Sequence, residues 1–133
     1  MKNHVRELYK CPKCNLAVEI ASACGCEEPC MRCCGEKLVP VKANTVDAAR
    51  EKHVPHVERV DDKLIVQIGS EPHPMSEAHH IVWIEAVGGA WSLRKYLRED
   101  EKPCGEFKLC CSCKEKVKVR AYCNLHGLWE KEI

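Results

Sequence analysis

The chain has 133 residues, 45% hydrophobic and 31% charged, and its 21 Lys and Arg nearly cancel 20 Asp and Glu. That length allows one hydrophobic core plus a small appendage, and the composition is that of a folded chain rather than a disordered one. Residues 1–43 carry 7 basic against 5 acidic groups and the remainder 14 against 15, so neither part has the charge excess of a nucleic-acid or membrane-surface binder.

No stretch approaches the roughly 20 apolar residues of a membrane helix. The opening residues, MKNHVRELYKCPKC, lack the apolar core of a signal peptide, which makes the cytoplasm the expected location. In a reducing compartment the 12 cysteines point to metal ligands or redox chemistry before disulfides. Seven of them lie between Cys11 and Cys34 and five between Cys104 and Cys123. The span from Gly35 to Pro103 has none and holds His53, His56, His73, His79 and His80. Two ligand chemistries in different parts of the chain imply two sites.

Residues 1–36 read as a small metal-stapled module. ELYKC and LAVEI are candidate paired strands, but their apolar content is too low to hold the module together without a cross-link or metal. Cys11-Pro-Lys-Cys14 is a CxxC loop whose thiolates can turn onto one tetrahedral ion. The second pair must come from Cys24, Cys26, Cys30, Cys33 and Cys34. Cys30 with Cys33 gives a regular second CxxC, while Cys33 with Cys34 gives adjacent thiolates. Either set accepts iron or zinc, and a zinc staple without redox function fits the spacing equally. Residues 37–47 read as a linker, with a turn or helical piece near DAAREKH.

A second domain is expected over 48–133, all-β and built from short runs: HVERV, KLIVQIGS, HHIVWIEAV, WSLRKYL, GEFKLCC and KVKVRAYC. Leu64, Val66 and Ile68 alternate onto one face, as do Val117, Val119 and Ala121. Asp61-Asp62, Gly88-Gly89 and Glu99-Asp100 supply turns. The pattern predicts a sandwich or barrel of about seven strands. Trp83, Trp91, Tyr96, Phe107 and Trp129 read as core.

Three fragments carry ligand chemistry in this domain: Glu51-Lys52-His53-Val54-Pro55, His73-Pro74-Met75-Ser76-Glu77-Ala78-His79, and Cys123-Asn124-Leu125-His126-Gly127. Cys123 and His126 are close enough to bind one ion from one loop. A single thiolate among several imidazoles is a poor structural-zinc pattern and suits a metal whose electron density is tuned. His4, His56 and His80 read as surface or packed residues. In a strand His79 and His80 would face opposite ways.

The motifs YKCPKC, CCGEKL, EKHVP, HPM…H…WIE and YCNLHG followed by Trp129 resemble those of the desulfoferrodoxin family, the two-domain superoxide reductases, from Tyr9 to Trp129. The resemblance implies a desulforedoxin-like module with iron held by Cys11, Cys14, Cys33 and Cys34. It also implies an immunoglobulin-like β-sandwich carrying a catalytic iron, cycling between Fe2+ and Fe3+, with His53, His73, His79 and His126 as equatorial ligands and Cys123 as the axial one. The implied reaction is one-electron reduction of superoxide to hydrogen peroxide. A rubredoxin-like donor would resupply electrons, and the chain would form a homodimer. Lys52 would attract superoxide, and Glu51 is similar to a glutamate that can occupy the open position of the resting ferric site. Cys24, Cys26, Cys30, Cys104, Cys110, Cys111 and Cys113 depart from the family pattern. The competing readings are a non-catalytic two-iron electron-transfer protein, a zinc-bound structural module and a superoxide dismutase.

Overall fold

The computed structural model describes residues 5–27, 30–44, 53–69, 73–109 and 116–133. The chain divides into two compact units, Met1–Lys42 and Ala43–Ile133. Among the described residues every regular element is a β-strand, and no helix is long and apolar enough to cross a membrane.

In the first unit, β1 (Leu8–Lys10) lies between β2 (Ala17–Glu19) and β5 (Val39–Val41), with both pairings antiparallel. The paired β1 and β2 correspond to the expected ELYKC and LAVEI segments. β3 (Arg32–Cys33) and β4 (Glu36–Lys37) form a separate hairpin. Among the described residues Tyr9, Cys11 and Leu38 form the buried cluster, backed by Val18, Ile20, Met31 and Cys33. So few apolar groups cannot offset the entropy of ordering the segment, and a bound metal would supply the missing free energy. The stretch expected as a linker, 37–47, is partly ordered into this unit, because β5 pairs with β1 in the register Leu8↔Val41. A three-residue strand with proline at its centre has no legible alternation, and only its distant partner reveals it. The helical piece expected near DAAREKH lies largely outside the described residues.

The second unit is a sandwich of two antiparallel sheets. One has the order β10 (Cys104–Lys108), β7 (Lys63–Ile68), β6 (Pro55–Val60). The other has the order β12 (Gly127–Glu132), β11 (Lys118–Cys123), β8 (Ile81–Val87), β9 (Ser92–Tyr96). Leu64, Val66 and Ile68 from one sheet meet Ile84, Ala86, Val119, Ala121 and Cys123 from the other. The period-2 alternation that placed Leu64, Val66 and Ile68 together in sequence thus becomes one wall of the core. In the pairing of β8 with β11, Tyr122 faces Trp83 but Cys123 faces Ile81. Val82 is therefore an extra residue in β8, a bulge that bends the strand beside Cys123.

Two expectations change here. The run HHIVWIEAV forms a strand only from Ile81, so His79 and His80 are loop residues and strand alternation does not separate them. Tyr96, expected in the core, is 66% exposed. It ends β9, which has a neighbour on one side only, and its hydroxyl lies 3.3 Å from Arg94 Nη1.

Candidate metal centres

The four-sulfur group begins with the CxxC loop that follows β1. The Lys13 amide donates to Cys11 Sγ at 3.4 Å and the Leu16 amide to Cys14 Sγ at 3.5 Å. Each thiol thus meets an amide two residues onward, which folds the loop around its sulfurs. The other two cysteines sit on the β3–β4 hairpin. Its two-residue turn is Cys34-Gly35, with φ of 55° and 75°. Positive φ at both central positions defines the tight hairpin turn whose twist matches the flanking strands. Glycine takes that conformation without cost, whereas Cys34 is held in it at some cost. The turn thereby brings the adjacent Cys33 and Cys34 to one ion.

Sγ atoms of Cys14 and Cys33 lie 3.6 Å apart, and those of Cys33 and Cys34 lie 3.7 Å apart. A tetrahedron with metal–sulfur bonds of about 2.3 Å has edges of about 3.8 Å, so the sulfurs fit one ion. Burial raises the Cys11 thiol, but amide bonds from Lys13 and Cys14 and thiol bonds from Cys14 and Cys33 outweigh it and bring Cys11 to about 7. Cys33, bonded to Cys14, Cys11 and Cys34, is pushed up to about 12. One sulfur ionises readily and the next resists, so a cation is needed to hold all four as thiolates. Cys30 is exposed and lies outside the group, as do Cys24 and Cys26.

The second group lies in the sandwich unit. His53 precedes β6, His73 and His79 flank the loop before β8, and Cys123 and His126 belong to the turn joining β11 to β12. One ligand atom from each lies within 4.8 Å of all the others. Adjacent imidazole centroids are 4.6 Å apart for His53–His73, 4.6 Å for His73–His79, 4.8 Å for His79–His126 and 4.7 Å for His126–His53. The diagonal His53–His79 is 6.2 Å. Four near-equal edges and one longer diagonal describe a square of rings. His126 Nδ1 and His53 Nε2 are 2.9 Å apart, close to the roughly 3.0 Å between neighbouring corners of a square with metal–nitrogen bonds of about 2.1 Å.

Cys123 Sγ lies 3.6 Å from His73 Nε2 and 3.9 Å from His126 Nδ1. Those nitrogens occupy opposite corners, so the sulfur sits near the axis of the square. Cys123 is fully buried while His126 is exposed, so the sulfur side faces the core and the opposite face is the outward one. The square of imidazoles with one axial thiolate fits a mononuclear iron.

Local chemistry orients these rings. His73 Nδ1 donates to the Pro74 carbonyl at 2.7 Å, which leaves the Nε2 lone pair for the cluster. Burial lowers the His73 pKa to about 4, and neighbouring histidines add to this. His53 stacks on Trp129, with centroids 4.7 Å apart and planes 17° off parallel. Gly127 closes the three-residue turn of Cys123 and His126 with φ of 84°. A Cβ there would meet nothing within 4 Å, so backbone conformation rather than space requires glycine.

Asn124 was not singled out in the sequence. Its amide donates to the His80 carbonyl at 3.1 Å, its Oδ1 accepts from the His80 amide at 2.9 Å, and its Nδ2 donates to the Ala78 carbonyl at 3.0 Å. Three bonds thus tie the loop of Cys123 and His126 to the loop of His79. Asn124→Ala is expected to weaken iron binding at this centre by about 10-fold, the lower range for groups that support metal ligands. Competition with a chelator, read alongside the four-sulfur centre as internal reference, measures it. His80 bonds Ser76 O through Nδ1 at 2.9 Å and is not among the clustered histidines, and His56 is exposed on β6. Glu51, Lys52, His4, Cys110, Cys111 and Cys113 lie outside the described residues.

A pH effect follows for the metal-free chain. The folded-state pKa of His73, about 4, is below the ordinary 6.5. Between those values the unfolded chain binds the extra proton, so stability falls as pH drops from 6.5 towards 4. Unfolding midpoints of metal-free protein across that range should decline, and His73→Gln should flatten the decline.

Known proteins share this arrangement of chain and fold. The sequence model of the family described as desulfoferrodoxin matches residues 45–132. The desulfoferrodoxin of Syntrophotalea carbinolica is 44% identical over 126 residues, covering 95% of this chain and 95% of that protein. The desulfoferrodoxin of Nitratidesulfovibrio vulgaris is 43% identical over 126 residues, with the same 95% coverage of both. Among solved structures, the superoxide reductase from Treponema pallidum superposes with a TM-score of 0.74 at 26% identity, over 94% of this chain and 96% of that one.

Proposed function

The chain belongs to the desulfoferrodoxin family, and from that premise we propose that it is a superoxide reductase. The observation that carries the reading is the square of His53, His73, His79 and His126 with the Cys123 sulfur on its inner axis. Iron held by these five residues would supply the electron that, with two protons, converts superoxide to hydrogen peroxide.

The chain's own groups fit that task. Neutral imidazoles leave the positive charge of the ion largely uncancelled, which favours an anionic substrate. The buried Cys123 thiolate would hold such an ion from the core side and donate charge to it, which would favour its giving up an electron. That outer face is bounded by the exposed His126, so a small anion reaches it from solvent. Pro74, Trp129 and Asn124 hold the rings in place and limit rearrangement between oxidation states. Lys52, adjacent to His53, is assigned the role of attracting superoxide and holding a proton-donating water. Glu51 is assigned a place at the open face in the oxidised resting enzyme.

The unit Met1–Lys42, which takes in the expected module 1–36 and the first part of the expected linker, is assigned as the desulforedoxin-like module with a second iron on Cys11, Cys14, Cys33 and Cys34, and 48–133 as the catalytic domain. A rubredoxin-like protein returns one electron per turnover, and the chain works as a homodimer in the cytoplasm. The family resemblance supports the iron, donor and dimer assignments, and cysteine-rich metal ligation suits a reducing compartment.

Anaerobic stopped-flow mixing of reduced, iron-quantified protein with superoxide tests the reading. Rapid oxidation of the histidine-site iron, one peroxide per electron and no matching dioxygen are expected. Persistence of the reduced spectrum at full iron loading would leave a non-catalytic two-iron electron carrier. Dioxygen in step with peroxide would indicate dismutation.

A further inference from the structure

The turn Cys24-Gly25-Cys26 belongs to neither centre. Among the described residues no group of three or more metal-ligating side chains includes this pair. Iron and zinc sites need about four donors, which argues against a third such site here. Both thiols are exposed and no disulfide joins them.

Gly25 has φ of 80°, a left-handed conformation that folds the chain back on itself. The fold directs the Cys26 amide onto Cys24 Sγ at 3.2 Å. The same amide-to-sulfur bond, two residues onward, serves Cys11 and Cys14 in the four-sulfur centre. The side-chain bond to Cys24 and the charge there raise the Cys26 thiol. The amide donated to Cys24 Sγ favours negative charge on that sulfur, and Cys26 is the thiol of the pair that is raised. A two-thiol reaction uses that division: the thiolate attacks, its oxidation removes the charge that held the neighbour's proton, and the neighbour then resolves as a thiolate.

We propose that Cys24 and Cys26 form a peroxide-reactive dithiol, in which Cys24 attacks hydrogen peroxide and Cys26 closes a disulfide onto it. The proposal rests on the superoxide reductase reading only for the source of the peroxide. The Cys24 thiolate attacks one peroxide oxygen, the oxygen–oxygen bond breaks, and the leaving hydroxide takes a proton to become water. Cys24 then carries a sulfenic acid. The Cys26 sulfur attacks the Cys24 sulfur, the sulfur–sulfur bond forms, the sulfur–oxygen bond breaks, and a second water leaves. Two thiols and one peroxide give one disulfide and two waters, with two electrons passing from sulfur to oxygen. A dithiol reductant restores the pair by exchange.

The test uses full-length, iron-loaded protein carrying Cys30→Ser, which removes the third cysteine of the same loop. After anaerobic treatment with one equivalent of hydrogen peroxide, free thiols are alkylated and peptides weighed. The peptide holding Cys24 and Cys26 should lose two hydrogens and resist alkylation, and a dithiol reductant should reverse both. Adding Cys26→Ser should stop the reaction at a sulfenic acid on Cys24 that dimedone traps, and Cys24→Ser should give neither product. Full alkylation of both cysteines after peroxide overturns the proposal, as does equal dimedone labelling of the two single variants. Peroxide is added directly, so the outcome does not depend on superoxide reactivity. Cys24→Ser and Cys26→Ser should in turn leave the rate with superoxide unchanged.

Discussion

Replacing Cys123 by serine is expected to slow oxidation of the reduced protein by superoxide by at least about 100-fold, the upper range for losing even a supporting group at a metal site. The sulfur is fully buried, lies near the axis of the histidine square, and faces away from the outward side. A serine hydroxyl is a harder and weaker charge donor than thiolate, so the variant should bind iron yet lose electron-donating strength. Stopped-flow absorption on samples with measured iron content checks it, and the sulfur-derived visible band should vanish in the oxidised state. Iron content held with an unchanged rate would mean that four imidazoles suffice. That outcome would remove the axial thiolate from the mechanism while leaving the fold intact.

The second large effect concerns stability. Glu85→Ala should destabilise the sandwich unit by about 3–5 kcal/mol, as expected when one partner of a buried ion pair is removed. Glu85 is 3% exposed and sits between Arg120 and Arg94 on neighbouring strands. Arg120 Nε and Nη2 reach Oε1 at 2.9 and 2.8 Å, and Arg94 Nε and Nη2 reach Oε2 at 2.9 and 2.7 Å. Arg94 also lies over the Trp83 ring, 3.9 Å from its centroid. Without the carboxylate two guanidinium groups remain close together, and Arg120 has little water to solvate it. Chemical denaturation at neutral pH measures the loss. A Glu85→Gln variant keeps the shape but not the charge, and should recover only part of it. A cost below about 1 kcal/mol for Glu85→Ala would show that water reaches both arginines.

Both results depend on strand pairing, and there the sequence and the structure divide. Leu64, Val66 and Ile68 were legible because a half-buried strand repeats every two residues. Val117, Val119 and Ala121 were legible for the same reason. The all-β class and a sandwich of about seven strands followed from such runs. β12, by contrast, reads Gly-Leu-Trp-Glu-Lys-Glu, with adjacent Leu128 and Trp129 both buried. That run shows no alternation, and only pairing with β11 defines it. Tyr96 was misread because an aromatic residue on an edge strand looks the same in sequence as one in a central strand.

The metal-binding residue types, their spacing and the family motifs were determined by the sequence itself, since a thiolate or imidazole carries its ligand chemistry wherever it lies. The tertiary structure decided which of them meet. Spacing left Cys30 and Cys34 as equal candidates, and the left-handed turn at Cys34-Gly35 is what gathers Cys34 with Cys11, Cys14 and Cys33. His53 and His126 are 73 residues apart, yet their nitrogens stand 2.9 Å apart because two sheets pack face to face. The Asn124 clamp and the Arg120–Glu85–Arg94 row likewise exist only across strands and loops. Contacts of that kind depend on the register between distant segments, and local composition does not encode it.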